Sequence, residues 1–309
     1  RTLGSASPVS GFTLFTFGNL AYMHGMTEFV KMHGLGNDFV ILDARGSTPL
    51  RVDAAAAYAI ADRRHGIGCD QILILRDAAD ADFFMEILNS DGSRAQACGN
   101  GTRCVAAMVM RETDRESLQI NTDGGVLKAW NGENGLVSVD MGPVQMGWQE
   151  VPLAREMDTV AVELSPAPGP AVCHSMGNPH AVVFVDDVEA VDLERIGPAI
   201  EHDDLFPDRV NLSIVHRQEE DLFRVRVWER GAGITLACGS GACAVGVAIA
   251  RRGLGGRKNG IMMDGGLITI DWQDNGSVGG RVVMTGPFAY ACHGVMEGAL
   301  AQALEAANG

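Results

Sequence analysis

Short apolar runs bounded by Gly, Asn, Asp and Ser recur along the chain. They include Phe39-Val40-Ile41-Leu42-Asp43, Gln71-Ile72-Leu73-Ile74-Leu75, Asp82 to Asn89, Ala181-Val182-Val183-Phe184-Val185-Asp186, Asn211-Leu212-Ser213-Ile214-Val215 and Leu222 to Glu229. Runs of this length, rich in Val, Ile and Leu, predict strands. Longer stretches carry small and apolar residues at helical spacing: Ala54 to Arg64, Leu193 to Asp204 around Ile196 and Ile200, Cys104 to Met110, and Cys243 to Ala250. The last two predict buried helices, and a terminal helix is predicted over Val295 to Ala307.

The order of these elements repeats. Residues 97 to 105 read ACGNGTRCV and residues 237 to 245 read ACGSGACAV, so Cys98 and Cys238 stand 140 positions apart. Gly36-Asn37 and Gly177-Asn178, each followed by an apolar run, stand 141 apart. The intervening runs keep the same offset. A single Gly-rich strand-to-helix turn recurs by chance, whereas several anchors at one spacing mark a duplication. The fold class that follows is α/β (α+β), with two pseudo-symmetric domains and a site in the cleft between them. The first domain spans 26–142, completed by 285–309, and the second spans 143–284. Residues 1–25, dominated by Gly, Ser, Thr and Phe with Arg1 their only formal charge, read as an N-terminal extension ahead of Met26. A signal peptide is the alternative.

Length changes this picture little, since 309 residues suit about two domains. Charge narrows the partners: a formal net charge of −15 lacks the basic footprint needed for nucleic acid or an anionic membrane surface. Seven cysteines, an odd number, read as thiols of a reducing cytoplasm rather than a disulfide framework.

The two Cys-Gly motifs carry the candidate chemistry. A cysteine at a helix start sits at the positive end of the macrodipole, which favours thiolate and predicts proton exchange near neutrality. The amides of Gly99, Asn100 and Gly101, and of Gly239, Ser240 and Gly241, then form two small anion sites suited to a carboxylate. Alone, each motif more often marks a small buried hydrophobe before a helix than a catalytic thiol. Structural zinc usually uses closer-spaced cysteine pairs than Cys98/Cys104 and Cys238/Cys243. No dinucleotide fingerprint and no pyridoxal-phosphate lysine is evident, so neither a metal nor a cofactor is expected. Symmetry favours chemistry. Two related domains, each with one thiol and one amide nest, can approach a carboxylate-bearing carbon from opposite faces, as stereochemical inversion requires.

The segments KMHGLGNDFV (31–40), RHGIGCDQ (64–71), NSDGSRAQACGNGTRC (89–104), MGNPH (176–180), DRVN (208–211) and WERGAGITLACGSGACA (228–244) resemble the diaminopimelate epimerase family, in order, from about Met26 to Gly286. The sequence departs from the commonest pattern at Ile234, Cys69 and Ser90. The resemblance implies two domains, each a strongly curved, mostly antiparallel sheet wrapped around a central helix. It also implies a homodimer and cofactor-independent interconversion of L,L- and meso-diaminopimelate, in lysine and peptidoglycan precursor synthesis. By the same resemblance Cys98 and Cys238 are the acid/base pair, and His180 and Glu229 tune them. Gly99-Asn100 and Gly239-Ser240 cradle the reacting carboxylate, and Asn37, Gln71, Asn89, Asn178, Asn211, Glu229 and Arg230 bind substrate. Neutral amides suit both ammonium and carboxylate groups, and an Arg fork suits a distal carboxylate. Two rivals stand beside this reading: a proline or hydroxyproline racemase, whose substrates lack the distal amino acid, and a non-catalytic amino-acid-binding protein on the same fold.

Overall fold

The computed structural model describes residues 27–46 and 50–308, so the expected N-terminal extension lies outside the described residues. The first half comprises β1 (Thr27–Gly34), β2 (Asn37–Asp43), α1 (Ala54–Ala61), β3 (Gln71–Arg76), β4 (Phe83–Asn89), α2 (Gly99–Thr113), β5 (Ser117–Thr122), β6 (Gly125–Asn131) and β7 (Val137–Asp140). The second comprises β8 (Ala171–Ser175), β9 (Pro179–Phe184), α3 (Leu193–Glu201), β10 (Asn211–Glu219), β11 (Leu222–Glu229), β12 (Gly233–Thr235), α4 (Gly239–Arg251), β13 (Lys258–Met263), β14 (Gly266–Gln273) and β15 (Arg281–Gly286). The chain closes with β16 (Ala289–Met296) and α5 (Gly298–Asn308).

The strands form one continuous sheet in the order β16-β1-β2-β3-β4-β5-β6-β7-β15-β14-β13-β11-β10-β9-β8, with β12 folded back on β11. Most pairs are antiparallel. The parallel pairs are β2/β3 and β4/β5 in the first half, and β9/β10 and β11/β13 in the second. Each parallel pair flanks one helix, because a parallel partner can be reached only by a crossover. The duplication extends to register: Phe39 faces Gln71 on β2/β3, and His180 faces Asn211 at the equivalent point of β9/β10.

Burial explains the uninterrupted apolar runs. Phe39, Ile41, Leu73 and Leu75 point to the core around α2, whereas Val40, Leu42, Ile72 and Ile74 pack under α1 and α5. Strands covered on both faces need apolar residues at every position. Every residue of α2 from Gly99 to Met110 is buried, and α4 is buried almost as completely, as expected of a helix enclosed by a curved sheet. The two internal helices share one core that crosses between the halves, and α3 covers a separate core on the second half.

The C-terminal expectation is corrected. Val295 and Met296 are strand rather than helix, because β16 pairs antiparallel with β1 from Thr27/Met296 onward. The helix starts only at Gly298, whose φ of 58° lies in the left-handed region that favours glycine. It then packs on α1, and its Leu304 joins the core of the first half.

Candidate active site

Cys98 and Cys238 are the N-cap residues of α2 and α4, both in extended backbone. The helix starts they head meet across Met284. A Cβ on Gly99 would lie 2.5 Å from Met284 Cε, and one on Gly239 would lie 3.3 Å from Met284 Sδ and 3.6 Å from Asn100 Oδ1. Glycine after each cysteine is therefore what lets the two halves approach this closely. Asn100 reinforces the meeting, its Nδ2 donating to Asn37 Oδ1 at 3.3 Å and to the Ala237 carbonyl at 3.5 Å.

Around Cys98, the Sγ accepts from the Gly101 amide at 3.4 Å and lies 3.9 Å from Asn37 Oδ1. Asn37 is oriented from behind by Asp70, whose Oδ2 accepts its Nδ2 at 2.8 Å. Around Cys238, which is almost wholly buried, Ser240 Oγ lies 3.7 Å from the Sγ. Asn178 links this hydroxyl to the fully buried His180. Its Nδ2 donates to Ser240 Oγ at 3.4 Å, and its Oδ1 lies 3.0 Å from His180 Nε2. Glu229 ends β11, and its Oε1 accepts from Thr235 Oγ1 at 2.5 Å. Its carboxylate acts electrostatically on both thiols.

The expectation of thiols poised near neutrality is corrected. Burial pushes Cys98 up to about 11, opposed by the Gly101 amide and reinforced by Glu229. Burial also pushes Cys238 well above its ordinary range; the Glu229 charge and a hydrogen bond to it add to this, against the Gly241 amide and Ser240. The helix-terminus field is present, but desolvation of a thiolate in an apolar core is larger.

The remaining expected binding residues form two further groups. Arg230 is held through its amide, which donates to Asn211 Oδ1 at 3.0 Å, and through its Nη1, which donates to the Asp208 carbonyl at 2.7 Å. Asn211 is anchored in turn on the Pro179 carbonyl at 2.9 Å. Gln71 and Asn89 bond each other at 2.9 Å, and Asn89 also holds Ser93. This last pair makes no direct hydrogen bond to either cysteine. Reading the sequence missed Asp70, Thr235 and Met284. The first two lie inside quoted motifs, whereas a lone Met in a strand gives no signal.

His180 carries a testable consequence. Burial, then the Arg230 charge, pulls its pKa from an ordinary 6.5 down to about 3. The unfolded chain therefore binds a proton that the folded chain refuses, and stability is lost as pH falls from about 6.5 toward about 3. His174, opposite His180 in register and also fully buried, is shifted in the same direction, by burial first. Urea unfolding should weaken by about 2 kcal/mol from His180 between about pH 6.5 and 5, with His174 adding in the same direction. His180→Gln should remove that share of the slope, and an unchanged slope would contradict its burial as a neutral ring.

Relatives in sequence and structure now bear on this geometry. A family model described as diaminopimelate epimerase matches residues 29–147 and 172–291. A diaminopimelate epimerase of Acidiphilium cryptum is 50% identical over 280 residues, covering 90% of this chain and 99% of that protein. One of Rhodospirillum centenum is 52% identical over 270 residues, covering 86% and 91%. Among solved structures, a hydroxyproline epimerase from Agrobacterium vitis superposes with a TM-score of 0.62 at 16% identity, covering 88% of this chain and 91% of that one. Architecture thus sets the class: a duplicated α/β fold with a curved sheet, shared with amino-acid epimerases. The chain belongs to the diaminopimelate epimerase family, and it is an isomerase.

Proposed function

We propose that this protein interconverts L,L- and meso-diaminopimelate with Cys98 and Cys238 as the acid/base pair, without metal or cofactor. The observation that carries this reading is the meeting of two equivalent cysteine-headed helix starts, one from each repeat, across Met284. One thiolate removes the α-proton from one face, and the opposing thiol delivers a proton to the other face. The motif amides 99–101 and 239–241 hold the carboxylate on which charge accumulates, while Glu229 and the His180–Asn178–Ser240 chain tune Cys238. Because burial disfavours both thiolates, ionisation belongs to the substrate-bound state, where the α-ammonium supplies positive charge to the same pocket. Asn37, Gln71, Asn89 and Asn211 bind polar groups of the substrate, and Arg230 receives the distal carboxylate. The functional units are 26–142 with 285–309, and 143–284, in a cytoplasmic homodimer.

The test is direct. Pure, reduced protein is incubated with L,L-diaminopimelate without added cofactor, and the meso isomer is followed by chiral chromatography. Inversion of proline but not of diaminopimelate would replace this reading with the racemase one, and binding without turnover would replace it with the binding-protein one. The distal contact has its own check. The Asp208 carbonyl occupies one guanidinium nitrogen of Arg230 and leaves other donors of the fork for a carboxylate. Lysine cannot reproduce that fork, so Arg230→Lys should lower kcat/KM for diaminopimelate about a hundredfold in a folded protein. Near-normal efficiency would remove Arg230 from the site.

A further inference from the structure

Arg230, the clamp of the distal carboxylate, rides on an exposed turn. Residues 230–232 connect β11 to β12 and are all exposed, β12 is three residues long, and Gly231 has a φ of 77° in the left-handed region. An exposed turn of this kind opens readily, whereas a guanidinium fork recognises a planar carboxylate only when it is aimed. Glu229, the residue before it, has supports of its own. It ends β11, faces Gly233 in register and accepts from Thr235 Oγ1. Arg230 is therefore the member of the pair that depends on an outside hold.

One carboxylate beneath the turn supplies that hold. Glu201, the last residue of α3, is almost wholly buried, and a glutamate is seldom enclosed unless its oxygens are taken. Its Oε2 accepts from Trp228 Nε1 at 2.7 Å, and its Oε1 accepts from the Gly231 amide at 2.9 Å. Glu201 thus grips the chain two residues before Arg230 and one residue after it. Its Oε1 also stands 3.5 Å from Arg209 Nη1. Arg209 follows Asp208, whose carbonyl accepts from Arg230 Nη1 at 2.7 Å. The backbone that carries Arg230 and the carbonyl that aims its side chain are therefore tied to the same buried carboxylate. Asn211 adds a hold on the Arg230 amide, not on the guanidinium. The first repeat lacks both parts of the device: at the offset of 140, Ala61 stands for Glu201 at the end of α1, and Ser90 stands for Arg230. The support occurs in the half that has a clamp to support.

We propose that Glu201 is a positioning residue for substrate binding, whose buried carboxylate fixes the 230–232 turn so that Arg230 meets the distal carboxylate of diaminopimelate. This rests on the reading of Arg230 as the clamp for that group. Glu201 itself touches no substrate and acts only through the turn it holds.

The experiment is a double-mutant cycle on kcat/KM for diaminopimelate, combining Glu201→Gln with Arg230→Lys in the full chain, with circular dichroism as the check on folding. Glutamine has the shape of glutamate, but its single oxygen can serve either Trp228 or Gly231 while its amide nitrogen faces the other donor. Glu201→Gln should lower kcat/KM about tenfold in the otherwise unaltered protein and less than about twofold in Arg230→Lys, where no fork remains to be aimed. A role confined to stabilising α3 would lower kcat/KM by the same factor in both backgrounds. That result overturns the proposal, as does unchanged efficiency in the folded single variant. If Glu201→Gln does not fold, the unaltered protein decides by amide hydrogen exchange followed by NMR. The Gly231 amide should exchange about a hundredfold or more slowly than an unstructured glycine, and exchange at the unprotected rate overturns the proposal. Unaltered protein that leaves diaminopimelate unchanged fails the epimerase reading and removes the proposal with it, whereas equal losses in an active enzyme fail the proposal alone.

Discussion

Cys98→Ala and Cys238→Ala should each abolish epimerisation of diaminopimelate, by about a thousandfold or more, while the protein stays folded. Both residues cap helices whose bodies are buried and apolar, so the helices rest on core packing rather than on the cap. Cys98 contributes one weak cap bond, to the Gly101 amide, and Cys238 makes no side-chain cap bond, so neither replacement removes a major support. Inversion needs a base on one face and an acid on the other, and with either thiol gone the remaining one can only remove a proton and return it to the same side. Residues that act as a unit lose their effects together, so the double variant should be little worse than either single one. Chiral chromatography at matched protein concentration checks the loss, and circular dichroism checks the fold. If either folded single variant keeps more than about one hundredth of wild-type turnover, the two-thiol mechanism fails.

Gly197→Ala sets two principles against each other. Gly197 lies inside α3, where alanine is the better helix former by about 1 kcal/mol, so propensity alone predicts stabilisation. Packing predicts the opposite: a Cβ there would stand 2.3 Å from Trp228 Cδ2 and 2.6 Å from two further ring atoms. A rigid indole cannot yield as the end of a methionine does. It is also held by its Nε1, which donates at 2.7 Å to Oε2 of the buried Glu201, whose Oε1 accepts from the Gly231 amide at 2.9 Å. Moving Trp228 therefore disturbs both α3 and the turn after Glu229 and Arg230. The collision should win by about 3 kcal/mol, lowering Tm by about 5 °C and reducing turnover as well. A thermal melt showing equal or greater stability would mean that α3 can lift from β11 freely.

The duplication was legible because it is written in the backbone-dictating residues. Gly-Asn turns and the two CGxG starts recur at one spacing, and the register of Gln71 and Asn211 on their neighbours follows from them. Strands β2 to β4 and β9 to β11 were legible because runs such as Val40 to Leu42 and Ile72 to Leu75 are buried on both faces. The strand β16 was not: Ala-Tyr-Ala-Cys-His-Gly-Val-Met has no clean alternation, most of it is at least partly exposed, and only its pairing with β1 makes it a strand. The stretch 143–170 was equally silent. It holds no long helix or strand, yet Val151, Leu153, Val162 and Leu164 insert into the core under α3. At the site, local sequence revealed which thiols head the helices. It could not reveal their ionisation, which depends on how much non-local apolar structure closes over them.

The seam between β7 and β15 has a consequence for taking the molecule apart. The chain leaves the first half after β7, builds the second, and returns through β15 and β16 to lie against β7 and then β1. A gene fragment ending at Asp140 would therefore encode a sheet raw at both margins, with β1 missing β16 on one side and β7 missing β15 on the other. Bare margins of that kind recruit each other between molecules. Ancestral halves that once stood alone would have had to pair with a twin or carry caps of their own. The present chain instead ties its two copies into a closed circuit, in which neither can be cut free without opening the other.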